Sequence, residues 1–454
     1  MPPPHVVVVG GGLAGLAASL ALADHGMRVS VLEKNPRLGG RATSYRLPSG
    51  ESIDNCQHVT LRCCTNLEDF FRRAGVADKI HFHDQLIFAD SKGRRGCIKP
   101  SKLPAPLHLA PSFVAFPLLT LRDKFSIARA MLRIVARGGS PKIGDGTTML
   151  EWLRKEKQTL GAIDHFWRVV LVSALNEELD RTDARYGILV FWKAFLSNSA
   201  GFGMGIPAIP LADLYASCCA PIQNHGGEVR TRCLVNQLDL SNGNVAAVRL
   251  DGGDEVRGDY YVLAVPFDRL VKLVPEEIGR TEMFTNLSVS PITGVHMWFD
   301  RPVMNEPFLT SIDHAIQWIF NRTNQYIQVV ISASRDLANR SQQEIVDVCR
   351  HELNELLPAA KEASLLRAVV IRENSATFSP APGCDRWRPS QRTVVRNLFL
   401  AGDWTNTGWP ATMESAVRSG YQAAEAILAS QGSPASVVQP DMPTTGLARW
   451  FVRA

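Results

Sequence analysis

The stretch Val6-Val7-Val8-Val9-Gly10-Gly11-Gly12-Leu13-Ala14-Gly15 leaves this chain little choice of fold. Four successive valines are stiff at χ1 and apolar on both faces, which suits a strand buried in a parallel sheet. A glycine turn follows, and the Ala- and Leu-rich run 16–25 reads as a helix packed on that sheet. Gly10, Gly12 and Gly15 keep the G-x-G-x-x-G spacing. The first lets the chain turn, the second admits a pyrophosphate to the backbone, and the third lets helix and strand approach. Phosphates would lie at the helix N-terminus, beside Leu13 and Ala14, where N–H groups and the helix dipole favour negative charge. A second apolar strand, 28–32, ends on Glu33 and Lys34, where a carboxylate is placed to grip a ribose hydroxyl. Strand, glycine turn, helix, strand and acid in this order predict a dinucleotide-binding α/β unit.

Bulk properties narrow the class further. At 454 residues the chain exceeds what one hydrophobic core usually organises, so at least two structural units are expected. Forty-nine basic against 44 acidic residues, a net charge of +5, give no nucleic-acid footprint, and none is expected as a partner. The nine cysteines are an odd number without a C-x-x-C pair, so neither a disulfide framework nor a metal site is expected, and a reducing cytoplasm is the simplest setting. The apolar run 5–23 already has an assignment as strand, turn and helix, and no other stretch approaches the ~20 apolar residues a bilayer span requires.

Two further turns carry chemistry. Gly39-Gly40-Arg41 follows Glu33 and offers a guanidinium either to phosphate or to a surface salt bridge. Near the other end, the short apolar strand 397–401 runs into Gly402-Asp403, and a helix starts near Thr412 and Met413. Taken with the glycine turn, these residues resemble the flavin-containing amine oxidase and carotenoid desaturase superfamily, which binds FAD. The resemblance implies an α/β fold: a Rossmann-like FAD-binding domain with a discontinuous, mixed-sheet plus helical substrate domain. It implies FAD-binding segments 1–90, 225–285 and 391–430, substrate-domain segments 91–224 (helical, membrane-facing) and 286–390 (sheet), and a flexible tail, 431–454. Within these, Gly40, Arg41, Cys56, Gln57, Val235, Gly402, Asp403, Thr412 and Met413 are expected at the cofactor.

A narrower likeness rests on Asp54-Asn55-Cys56-Gln57-His58 and Pro104-Ala105-Pro106-Leu107-His108. Both resemble the squalene-associated FAD-dependent desaturases, now regarded as hydroxysqualene dehydroxylases of squalene and hopanoid synthesis. Their usual residue at position 56 is glycine; this chain has Cys56. The resemblance implies an apolar isoprenoid substrate and reductive dehydroxylation of hydroxysqualene, with desaturation of a phytoene-like polyene as one alternative and a non-catalytic prenyl-binding carrier as another. The electron donor stays open. Asp54, Gln57 and His58 are the candidate catalytic residues, His58 either as a proton donor, since imidazole titrates near neutrality, or as a structural residue orienting its strand.

The stretch 92–124 places apolar, proline-rich sequence between basic flanks, which suits either contact with an anionic membrane surface or a loop over the protein's own core. After Gln431 the chain is rich in Pro, Ser and Thr and is expected to be loosely ordered. Arg449-Trp450-Phe451-Val452-Arg453 in that tail reads as an interfacial anchor or a frayed terminus. A peripheral position on the inner membrane face is the corresponding location.

Overall fold

His5–Val9 is the central strand of a five-stranded parallel sheet, between Arg28–Leu32 and Tyr260–Leu263, with Glu228–Arg230 and Leu398–Leu400 at the edges. The computed structural model describes residues 2–140, 142–274 and 285–452. Val6, Val7 and Val8 are fully buried. The helix Leu13–Asp24 covers them and is itself buried over all but its last residue, as an all-round apolar sequence requires. Gly15 permits this contact, because a Cβ there would fall 2.0 Å from the carbonyl oxygen of Gly10. A second helix, Met413–Ser430, packs along the first.

The antiparallel strands Val235–Ser241, Asn244–Leu250 and Glu255–Val256 form a small separate sheet. A larger one runs in the order Leu365–Phe378, Val289–Phe299, Tyr326–Ser332, Trp318–Asn321, Phe308–Ser311, Leu86–Ala89, Arg95–Ile98. Its two faces differ because side chains alternate along a strand. Val295, Met297, Leu309, Ile319, Ile327, Val329 and Ile331 point one way and form an aliphatic layer with Ile345, Cys349 and Leu353 of the helix Gln342–Leu356. Residues of the opposite parity, among them Thr310, Trp318, Phe320 and Val330, face a cavity.

The helix Arg168–Leu175 ends where Asn176 adopts a left-handed backbone (φ 53°). One sequence expectation needs correction. The tail is not loose. Val437 is 1% exposed and Ala448 is fully buried. Asp441 pairs with Lys193 and Arg418, and the N–H groups of Leu447 and Ala448 donate to the carbonyl of Ala105. Pro/Ser/Thr composition speaks for a weak intrinsic preference, and tertiary partners override it. Residues 275–284 of the expected 225–285 segment, and Arg453 of the expected anchor, lie outside the described residues.

Candidate functional site

A single cavity of about 860 Å³ touches both the glycine turn and the aromatic face of the large sheet. Gly10, Gly12, Leu13, Ala14, Glu33, Lys34, Gly40, Arg41, Cys56, Gln57, His58, Val235, Gly402, Asp403, Thr412 and Met413 all line it. Two expected residues do not. Gly15 serves packing, as described above. Asp54 is 3% exposed, and its carboxylate accepts from Ser44 Oγ (2.7 Å), the Leu211 N–H (3.1 Å) and Arg322 (3.3 Å). The expectation of Asp54 as a catalytic group therefore gives way to that of an anchor: its oxygens are taken up by the fold.

At the nucleotide end the loop geometry is built from short backbone bonds. The Gly39 N–H donates to Gly11 (2.8 Å), bringing two glycine turns together. Glu33 accepts the N–H of Gly11 and of Asn35, each at 2.7 Å, one on each carboxylate oxygen. Nearby, Gly12 faces open space; a Cβ there would meet only Gly40 Cα, at 3.8 Å. Arg41 lines the cavity, with about a third of its side chain exposed (33%), and is ion-paired. It donates to Asp403 at 2.6 Å and to the carbonyl of Ala376 at 2.7 Å, joining segments 362 positions apart. Burial opposes the Arg41 charge, and Asp403 more than restores it, so its pKa is raised.

The segment 54–58 follows. Cys56 has φ 152°, a backbone region favourable to glycine. Its buried thiol is pushed up to about 12 by burial, so it stays neutral. The sulfur is accommodated by Gly294 on the large sheet, where an added Cβ would come within 2.9 Å of Sγ. His58 Nδ1 lies 2.9 Å from the Cys56 carbonyl, which can only accept, so Nδ1 carries the proton and Nε2 is the acceptor. Burial lowers the pKa of His58. A neutral imidazole whose only N–H is engaged is a proton acceptor; the expected role of donor is not what this geometry favours. Gln57 is held by Arg322 at 2.9 Å.

Sequence reading missed several groups here. Arg388, 3% exposed, donates to the carbonyls of Asp403, Thr405 and Trp409 and so knits the loop that carries Asp403. Nothing in its local sequence distinguishes it from a surface arginine. Glu373 enters the cavity from a strand that is irregular between Ser290 and Ile292 of its neighbour, and Asn55 reaches both it (3.4 Å) and the carbonyl of Arg41 (2.8 Å). Asn55 Oδ1 is buried without a protein partner among the described residues. His108, from the Pro-Leu-His motif, is also buried, lies 6.1 Å from the cavity residue Phe202 ring to ring, and has a pKa lowered by burial.

A glycine-lined seat, a fixed acid, an orphan amide oxygen and one continuous cavity together fit a dinucleotide with an attached flat ring. The family comparison decides which. Residues 13–428 match the model of the flavin-containing amine oxidoreductases. The chain belongs to this family. Its cofactor is FAD. Among its relatives, the 15-cis-phytoene desaturase of an Oncidium hybrid cultivar is 28% identical over 94% of this chain and 78% of its own length. That of Synechococcus elongatus is 26% identical over 94% and 96%. In three dimensions the chain is similar to an oxidoreductase from Methanosarcina mazei (TM-score 0.72, 16% identity, 92% of this chain and 98% of that one). It is likewise similar to putrescine oxidase bound to putrescine (TM-score 0.71, 16% identity, 94% and 99%). Sharing of the fold is what these structures establish.

Among the described residues no three His, Cys, Asp or Glu side chains cluster as metal ligands, and the nine cysteines are free. No described helix is long and apolar enough to cross a membrane.

Proposed function

We propose that this FAD enzyme transfers a hydride to or from a long apolar isoprenoid held against the aromatic wall of the large sheet. The observation that carries the reading is the continuity of one cavity from the nucleotide turn to Phe88, Trp318, Phe320 and Val330. A mostly apolar cleft with few polar groups is what a hydrocarbon ligand requires. Gly12 and Ala14 would seat the phosphates and Glu33 a ribose, with Val235 near the adenine. Arg41, Asp403, Thr412 and Met413 would hold the flavin portion, at the N-terminus of the helix Met413–Ser430. FAD, when bound, supplies a two-electron hydride acceptor or donor.

Two directions are open to this chemistry. In desaturation one carbon gives up a hydride and its neighbour a proton, forming a double bond; His58, neutral with Nε2 free to accept, suits the proton. The named relatives, 15-cis-phytoene desaturases, support this direction. In dehydroxylation a carbon gains a hydride from reduced FAD while its hydroxyl takes a proton and leaves as water. The Asp54-Asn55-Cys56-Gln57-His58 motif supports that second reading.

A membrane surface would supply such a substrate. Leu121, Phe125 and Leu132 lie on the solvent side of the helix Leu121–Ala136, 65–83% exposed, and Val114 and Trp450 are exposed too. Exposed Arg122, Arg137 and Arg449 belong to the same elements. Apolar exposure with basic flanks suits an anionic leaflet.

Anaerobic incubation with phytoene and oxidised flavin, and separately with hydroxysqualene and reduced flavin, tests the reading. Flavin bleaching with a more unsaturated product is expected in the first case. Flavin reoxidation with squalene in the second would select dehydroxylation instead. No absorbance change with either would refute an isoprenoid substrate.

A further inference from the structure

Two cysteines adjacent in sequence, Cys63 and Cys64, both line the cavity. Neighbouring side chains of a strand or a helix point apart. These two belong to neither, since they occupy the turn between the strand Thr60–Leu61 and the helix Thr65–Arg73. Two backbone bonds fix that turn: the Cys63 N–H donates to the carbonyl of Gly201 (3.1 Å) and the Cys64 N–H to that of Leu61 (2.8 Å). The thiols come within hydrogen-bonding reach of each other. Cys63 packs with Ala194 and Trp409, and Leu61, Cys64 and Phe195 lie against that cluster.

Both cysteines are free, and a reduced pair held this close is a two-point ligand. Hydrogen bonding to Cys63, and then burial, pushes the Cys64 thiol up, so it stays protonated. A protonated thiol reacts poorly with reagents that need thiolate. A soft acceptor that takes two sulfurs and carries off both protons suits the pair better. The apolar neighbours Leu61, Phe195 and Trp409 give an aryl group on that acceptor a surface to pack on. The chain holds a second adjacent pair, and the contrast is informative. Cys218 is fully buried in the core beside the helix Leu13–Asp24, Cys219 opens the helix Cys219–Asn224, and neither lines the cavity. Cys56 and Cys233 do line it, each without a cysteine beside it in sequence.

We infer that Cys63 and Cys64 form a two-sulfur site on the cavity wall that captures a trivalent aryl arsenical. The arsenic–oxygen double bond is exchanged for two arsenic–sulfur bonds, and the two S–H protons leave with that oxygen as water. Arsenic stays trivalent and neither sulfur is oxidised. The inference is independent of which substrate the cavity takes and of the direction of hydride transfer.

Phenylarsine oxide titrated into the reduced, FAD-loaded protein and followed by native mass spectrometry tests the site. A single adduct per chain should form with loss of water, and dimercaptopropanol should reverse it where the same concentration of a monothiol does not. Cys63→Ser and Cys64→Ser should each weaken capture about 10²-fold, because one-point binding forfeits the effective concentration of the second thiol. The joint variant Cys218→Ser, Cys219→Ser should capture as wild type does. Cys64 is half-buried, so Cys64→Ser carries the test should Cys63→Ser lower Tm. Absence of an adduct in wild type, an adduct that a monothiol removes, undiminished capture by Cys64→Ser, or loss of capture in the Cys218, Cys219 variant overturns the site.

Discussion

At the scale of single residues, the segment 54–58 separates what a motif suggests from what its atoms can do. His58 has a lowered pKa, so its basic form persists from neutral pH to below the ordinary 6.5. If it accepts the proton, kcat/KM should hold through pH 6.5 and fall only on further acidification. His58→Ala should then cost roughly 10²-fold and erase that acid limb with FAD absorbance unchanged. An unaltered pH profile in the variant would leave His58 only an orienting role. Cys56 poses a packing question. Its positive φ costs about 1–2 kcal/mol relative to glycine, and its sulfur occupies the space beside Gly294. Gly294→Ala alone should destabilise by about 1–3 kcal/mol through overpacking. Combined with Cys56→Gly it should be nearly harmless, a coupling of about 1–2 kcal/mol in a double-mutant cycle by denaturant titration. Additive effects would mean that the two side chains do not share that space. Cysteine at 56 was legible in the sequence as a departure from the family's glycine; Gly294, its complement, was not, because the pair exists only across the sheet.

At the scale of elements, the tail shows how composition misleads. Residues 431–452 are rich in Pro, Ser and Thr, yet Asp441 ties them to Lys193 of the helical region and to Arg418 of the helix Met413–Ser430. Burial acts to raise the Asp441 carboxyl, and Lys193 and Arg418 outweigh it, so its pKa is lowered. The stability it contributes is present above the unfolded value near ~4 and is lost as pH falls through the folded one. Asp441→Ala should therefore cost about 1 kcal/mol at pH 7, a modest sum because the group is partly solvated. It should also make the tail susceptible to limited proteolysis. An equal ΔΔG at pH 3 would exclude the ion pairs as the cause. The strands and helices near the glycine turn were legible because each local preference agrees with the fold. Asn176, Arg388 and the tail were not, since their conformations answer to partners distant in sequence.

Across the whole molecule, the exposed apolar stripe of Leu121–Ala136 and the Trp450 region lie on elements that touch one another. Phe125→Asp should weaken sedimentation with anionic vesicles several-fold without lowering Tm, whereas neutral vesicles should bind poorly at the start. Binding that is unaffected by the substitution and by added salt would remove the surface from consideration. The sequence by itself determined the parallel sheet, the glycine turn, the acid at Glu33 and the Gly-Asp turn at 402–403, since each is a short run whose backbone needs only certain residue types. The pairing of Arg41 with Asp403 and the consumption of Asp54 by the fold were decided by tertiary structure alone. A side chain's neighbours, and hence its charge state and its unmet hydrogen bonds, are set by segments hundreds of residues away.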